Sequence, residues 1–303
     1  MKIGLMMPMG ERHAERGPLP YPVLREMALR AEADGLDSLW VADHLLFRRD
    51  GRTTGIHEAW TMLTAFGAVT SRVALGTLVL ALPFRNPGVT AKMAAALDEV
   101  SDGRLILGIG CGWHQPEFDA FDFPFDHRVS RFEEATEILK ALLRTGRANF
   151  DGRYHVARSI ELRPPAAPGR PPILIAGKQP RMLRLVARHA DAWNAAWYGT
   201  LDEADELRER LERLTHALAE EGRDPSTLEI TLGLNVAFPE LGTEHEPPAR
   251  VIAGSVEQVA DGLRGYEAVN ASHLIVSLTP STTDAVALLA RAAMLARVPV
   301  AAG

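Results

Sequence analysis

Apolar runs and amphipathic stretches alternate along this chain from end to end. Short, nearly uninterrupted apolar runs occupy residues 3–9, 38–42, 73–80, 104–110, 172–176, 190–195, 228–237 and 272–278. Runs of this kind, without inside–outside alternation, suit parallel strands covered on both faces. Between them, apolar positions recur at helical spacing over 22–33, 57–70, 87–100, 128–143, 180–188, 201–221, 255–269 and 282–296. Eight strand–helix repeats joined by short links predict an α/β chain whose parallel sheet closes into a (β/α)8 TIM barrel. Residues 1–303 are then expected to form one domain. A doubly wound open sheet is the alternative fold.

Local chemistry supports several of these boundaries. Pro87 and Pro180 stand in the first turns of their helices, where a missing N–H does no harm. Asp102-Gly103 and Asp224-Pro225-Ser226 read as turns. Residues 148–172 break the alternation: Asn149-Phe150-Asp151-Gly152-Arg153-Tyr154 resembles a hairpin turn and 163–172 is rich in proline, so a short hairpin excursion is expected before strand five. A second irregular stretch, 239–250, follows strand seven and is read as a mobile loop over the site.

With 47% hydrophobic residues, 303 residues can bury one large core. The formal charge of -6, from 33 basic and 39 acidic side chains without a long run of either sign, argues against a nucleic-acid surface and leaves small molecules as the expected partners. Cys111 is the only cysteine, which excludes an internal disulfide and agrees with a reducing compartment. The N-terminus runs directly into strand one without the features of a signal peptide, and no apolar run nears the ~20 residues needed to cross a bilayer. A cytoplasmic chain with no membrane partner is expected.

In a barrel of this type, ligands bind where the strands end, so the residues after each strand are the ones to weigh. Strand two delivers Asp43-His44: a group able to carry a proton near neutral pH beside a carboxylate, or a histidine that satisfies loop backbone. Strand three carries Gly76-Thr77-Leu78-Val79, which also reads as ordinary barrel core. Strand four runs into Gly110-Cys111-Gly112-Trp113-His114, then Glu117. The glycines permit close approach to a flat ligand and Trp113 offers a stacking face. A turn with the tryptophan packed on a helix is the alternative. Cys111 reads as a small buried residue, because no flanking basic group is present to lower its pKa.

After strand five, Ala176-Gly177-Lys178-Gln179-Pro180-Arg181 leads into a helix N-terminus beside two cations, an arrangement that favours phosphate. A solvated helix start is the alternative. Strand six ends in Asp191-Ala192-Trp193-Asn194, which also fits a core tryptophan. No HExxH and no paired CxxC occurs, so a metal hydrolase is poorly supported. A Schiff-base enzyme would have to use Lys178, the one lysine just past a strand.

The segments GRLILGIGCGWHQPEFDAFDFPF, with Arg131 and Glu133 in the following helix, and PPILIAGKQPRMLRLVARHADAWNA, together with VADHL and TSRVALGTLVL, resemble the bacterial luciferase-like flavin-dependent oxidoreductases. The resemblance covers almost the whole chain and favours the branch that uses the deazaflavin coenzyme F-420. It implies a barrel holding an isoalloxazine-type ring at the strand C-termini, and a non-proline cis peptide at Leu78–Val79. His44 takes the position of the catalytic or ring-contacting histidine, with Asp43 beside it. Thr77, Leu78 and Val79 back the ring; Cys111, Gly112 and Trp113 line it; Ala176, Gly177, Lys178 and Gln179 bind the cofactor phosphate. The chain departs from the commoner Gly-Gly-Ser at that last loop, having Ala176-Gly177-Lys178.

The resemblance implies hydride transfer between reduced F-420 and a small organic substrate. A monooxygenase using reduced FMN and oxygen, and a flavin-binding protein without turnover, are the alternatives. A homodimer, and a flavin or F-420 reductase supplying reduced cofactor, are the implied partners.

Overall fold

The computed structural model describes residues 1–11, 17–242 and 248–298. Eight parallel strands form its centre: β1 (Lys2–Met6), β2 (Ser38–Val41), β3 (Ala74–Thr77), β4 (Leu105–Gly110), β5 (Ile173–Ala176), β6 (Ala192–Tyr198), β7 (Glu229–Ala237) and β8 (His273–Thr279). Each pairs with the next, and β8 pairs back with β1 through Lys2↔His273 to Leu5↔Val276, so the sheet closes. The doubly wound alternative is thereby excluded. The wall of helices is α1 (Tyr21–Ala33), α2 (Ala59–Val69), α3 (Pro87–Val100), α4 (Arg128–Thr145), α5 (Pro180–His189), α6 (Asp205–Glu220), α7 (Val256–Gly265) and α8 (Thr283–Ala296).

The barrel interior is filled by a few large side chains made possible by glycines opposite them. Trp40 spans the middle: a Cβ on Gly76 would stand 2.2 Å from its ring, and one on Gly4 only 2.1 Å from Ser38 Oγ. Trp40 Nε1 donates to Ser38 Oγ at 2.7 Å, and the same hydroxyl lies 2.7 Å from His273 Nε2. Burial, with Lys2 and the N-terminal ammonium nearby, lowers the His273 pKa to about 3, so this ring is a neutral structural partner. Trp40, Leu174, Ala192 and Ile275 pack with Met6, Leu78, Val79 and Ile106 into an apolar plug. Beyond it, the inward-facing positions at the strand C-termini are small or only partly covered: Ala176, Ala196, Asn235 and Ser277. The barrel therefore opens at this end into a mouth floored by the plug.

Strand three is shorter than its apolar run suggests. It ends at Thr77; Leu78–Val79 is a cis peptide, and pairing with β4 resumes over Leu80–Ala81. Glycines on β4 make room for this step, since a Cβ on Gly108 would lie 1.9 Å from Thr77 O and one on Gly110 2.7 Å from Val79 Cγ2. Ala196–Trp197, at the end of β6, is also cis.

The excursion before β5 is an antiparallel hairpin, Arg147–Asp151 with Val156–Glu161. A second hairpin after β2, Phe47–Arg49 with Arg52–Thr54, and the short helix Gln115–Ala120 were not anticipated. The first of these turns on Asp50 and Gly51, with φ of 50° and 74°, as a type I′ turn requires. Of the irregular stretch 239–250, Pro239–Leu241 is a single 3-10 turn and residues 243–247 lie outside the described residues. Among the described residues, no helix is long and apolar enough to cross a membrane and no cluster of three or more His, Cys, Asp or Glu is arranged to hold a metal.

Candidate functional site

His44 stands three residues past the end of β2, on the rim of the mouth, with 15% of its side chain exposed. Its Nδ1 lies 2.9 Å from Oε1 of Glu117, a residue 1% exposed on the helix that follows β4. The other carboxylate oxygen accepts the Leu45 N–H at 2.9 Å. A carboxylate already bound by a backbone N–H presents lone pairs to the imidazole, so Nδ1 carries the hydrogen toward Glu117. Aromatic neighbours fix the ring plane, Phe47 at 4.3 Å and Trp113 at 5.6 Å between centroids. The Phe47 hairpin is itself tied down where Arg48 N–H donates to His114 Nε2 at 3.0 Å.

Asp43, next in sequence, serves a different part of the barrel. It is 3% exposed and binds Arg85 twice, Oδ2 to Nη1 at 2.6 Å and Oδ1 to Nη2 at 2.9 Å, while Oδ2 also accepts Ala81 N–H at 2.8 Å. Burial alone would lower the Arg85 pKa, but Asp43 and Glu58 outweigh it and the guanidinium is held above its ordinary value. This ion pair clamps the segment that follows Leu78–Val79. Asp43 thus shapes the ledge of the mouth, and Glu117 is the carboxylate that orients His44.

Leu78 and Val79 are partly exposed on that ledge, whereas Thr77 is fully buried behind them with its hydroxyl donated to Gly108 O at 2.6 Å. Cys111 and Gly112 continue the wall from β4, and Trp113 is 55% exposed, so it is not packed on a helix. Gly112 has φ of 71°, and a Cβ there would meet Phe118 at 2.5 Å; the position demands glycine twice over. Burial pushes the Cys111 thiol up, against the opposing charge of Arg128, so the thiol is a wall rather than a nucleophile.

At the neighbouring corner, Ala176 and Gly177 are partly exposed and Lys178 and Gln179 exposed. Trp193, the core tryptophan of β6, holds the loop by donating Nε1–H to Gly177 O at 2.8 Å. Gln179 caps α5 without a side-chain hydrogen bond, Pro180 follows, and the first turn carries no acid. Arg181 is taken by Glu133 of α4 at 2.6 Å, which brings the starts of α4 and α5 together. Arg128, the first residue of α4, reaches Cys111 and lies 4.5 Å over the Phe125 ring, with its Nε buried and without a hydrogen-bond partner. Neither Lys178 nor Arg128 has an ion pair among the described residues. Two cations, free helix N–H groups and an orphaned Arg Nε form an anion corner beside a flat, apolar ledge. That donor set fits a phosphate joined to a planar ring. The sequence alone pointed to Lys178 but missed Arg128, because its helix start at 128 was legible and its approach to Cys111 was not.

The family model described as luciferase-like monooxygenase matches residues 1–244. A phthiodiolone/phenolphthiodiolone dimycocerosates ketoreductase of Mycobacterium sp. (strain JLS) is 33% identical over 245 residues, covering 74% of this chain and 63% of the relative. An F-420-dependent glucose-6-phosphate dehydrogenase of Amycolatopsis mediterranei (strain U-32) is 34% identical over 177 residues, 56% of this chain and 52% of that enzyme. The chain thus spans less than two thirds of the length of these relatives. Among solved structures, an F-420-dependent secondary alcohol dehydrogenase in complex with an F-420–acetone adduct superposes with a TM-score of 0.79 at 18% identity, covering 98% of this chain and 99% of that one.

Proposed function

Because the chain belongs to the luciferase-like monooxygenase family of oxidoreductases, we propose that it transfers hydride between reduced coenzyme F-420 and a small carbonyl-bearing substrate. The observation that carries this reading is His44, oriented by buried Glu117 at 2.9 Å beside an open apolar ledge. The names of two relatives and of the solved structure, which print F-420 dependence or ketone reduction, support the same choice.

When bound, the coenzyme supplies the hydride. The chain supplies everything else. Leu78 and Val79 would back the ring, with Thr77 holding them from behind, and Cys111, Gly112 and Trp113 would border it. Lys178, Gln179 and the free N–H groups of α5, with Ala176 and Gly177 giving close approach, would take the phosphate, and Arg128 would add a second cation. As the substrate carbonyl carbon gains hydride, its oxygen takes a proton from His44 Nε2. Glu117 accepts the Nδ1–H bond throughout, which stabilises the imidazolium before transfer and keeps the ring aimed afterwards. Asp43 contributes by holding Arg85 and the ledge. The reverse reaction returns the proton to Nε2.

We take the chain as a single cytoplasmic barrel domain that works as a homodimer and receives reduced cofactor from a separate reductase. Oxygen separates this reading from the FMN monooxygenase. Reduced F-420 mixed anaerobically with the protein and a ketone should be reoxidised with alcohol formed and no oxygen requirement. Turnover that needs both reduced FMN and oxygen would replace the deazaflavin reading, and cofactor binding without oxidation of any substrate would leave a binding protein.

A further inference from the structure

The side of the mouth opposite the Leu78–Val79 ledge carries a tryptophan that the site described above does not use. β6 and β7 pair in register from Ala192↔Glu229 to Ala195↔Leu232, and the next pair is Tyr198↔Leu234, so three steps on β6 match two on β7. The extra residue is a β-bulge, a device that re-aims a side chain and recurs beside active sites. Asn194 donates to Thr231 Oγ1 at 2.9 Å on the inner face, which places Gly233, two residues further along β7, on that face too. A Cβ on Gly233 would lie 2.9 and 3.0 Å from Cε3 and Cζ3 of Trp197. The Trp197 ring therefore covers the inner wall at Gly233, in space that only a glycine leaves, and remains 36% exposed.

The bulge is held from outside. Tyr198, fully buried, accepts a hydrogen bond from Arg210; Gly199 O accepts from Tyr266 at 2.7 Å, and a Cβ on Gly199 would meet the Val251 backbone at 2.3 Å. The ring is thus a fixed surface. Counted around the closed sheet, β6, which carries Trp197, stands opposite β2 and the His44 loop, and β7, over whose Gly233 the ring lies, stands opposite β3 and the Leu78–Val79 ledge. The inner wall beside it is neutral, made by Ala196, Asn235 and Ser277.

We propose that Trp197 is the substrate platform: a flat, uncharged aromatic group of the carbonyl substrate stacks on it, so that the carbonyl lies between this ring and the cofactor, within reach of His44. The proposal rests on the cofactor reading for the identity of the opposite wall, and it commits to an aryl ketone over an aliphatic one.

The test compares binding of acetophenone and cyclohexyl methyl ketone by calorimetry, to the wild type and to Trp197→Phe and Trp197→Leu, with and without oxidised F-420. The F-420 dissociation constant of each is read separately by fluorescence. An aryl preference of about fivefold is expected in the wild type and Trp197→Phe and its loss in Trp197→Leu, with F-420 affinity changed by less than about twofold. No binding of acetophenone to the wild type, or a preference that survives Trp197→Leu, would overturn the proposal. So would a fall in F-420 affinity in Trp197→Leu, which would make Trp197 part of the cofactor wall. If F-420 binds none of the three proteins, the cofactor reading fails, and the titrations without cofactor still decide whether Trp197 selects aryl groups.

Discussion

The imidazole of His44 and the carboxylate of Glu117 meet at 2.9 Å although 73 residues separate them, one from the loop after β2 and one from the short helix after β4. Glu117 is buried to 1% exposure and, among the described residues, its one ion-pair partner is this ring. Desolvating a carboxylate in this way is costly unless a cation or strong donors face it. The imidazole and the Leu45 N–H are the donors that face it.

Glu117→Gln keeps an acceptor for the Leu45 N–H and removes the charge. Turnover is expected to fall about 10–100-fold, with the F-420 dissociation constant left within about threefold. A kcat equal to that of the wild type would show that Glu117 has no part in proton transfer.

His44→Ala should lower kcat about 100-fold or more while the F-420 dissociation constant stays within about threefold. Fluorescence titration and single-turnover oxidation on the same preparation make the comparison. Undiminished turnover would remove His44 from the mechanism.

Asp43 is expected to behave differently from its neighbour. Asp43→Asn leaves the largely buried Arg85 guanidinium with Glu58 alone, and a loss of about 3 kcal/mol is expected from breaking such a pair. Thermal unfolding checks this; a Tm unchanged from the wild type, combined with a loss of turnover as deep as that of His44→Ala, would return Asp43 to a direct chemical role.

The barrel was legible because the eight strands are largely apolar runs and the eight helices carry their own periodicity. The observed elements follow those expectations closely: helix α3 covers Pro87–Val100 as expected, and α8 is Thr283–Ala296 against 282–296. The departures have local causes. β3 stops at Thr77 where the chain steps at Leu78–Val79, and β6 continues to Tyr198 through a bulge that no periodicity reveals. The Phe47–Thr54 hairpin has an Asp50-Gly51 turn signal, but its strands are short and charged, so the pattern gave no apolar face to recognise. His44, Trp113 and Lys178 were visible because they follow strands. Their pairings were not: Glu117 was visible after strand four but not as the partner of His44, Arg128 reaches Cys111 from another element, and the carboxylate adjacent in sequence proved to face Arg85.

The Ser38–His273 contact at the base of the barrel sets an acid limit on stability. The folded pKa of His273 is lowered to about 3, against about 6.5 when unfolded. Below 6.5 the unfolded chain takes up a proton that the folded chain refuses, so stability falls as pH drops from there towards 3. His273→Gln, which retains a partner for Ser38, should flatten that part of the curve by up to one proton. Denaturant unfolding between these limits measures it, and parallel curves for the two proteins would show that another group sets the acid limit.

The anion corner is where the cofactor assignment is most exposed to test. Lys178→Glu should weaken F-420 binding about 10–100-fold, and Arg128→Gln somewhat less, because each removes a charge-assisted contact to phosphate and the first also adds repulsion. Unaltered affinity in both would move the phosphate elsewhere in the mouth.

The measurement that bears most directly on the whole account is a pair of fluorescence titrations of the purified wild type, one with coenzyme F-420 and one with FMN, at the same ionic strength. The account expects F-420 to bind at least about tenfold more tightly. FMN binding tighter than F-420 would contradict it and make the protein a flavin monooxygenase of the same family.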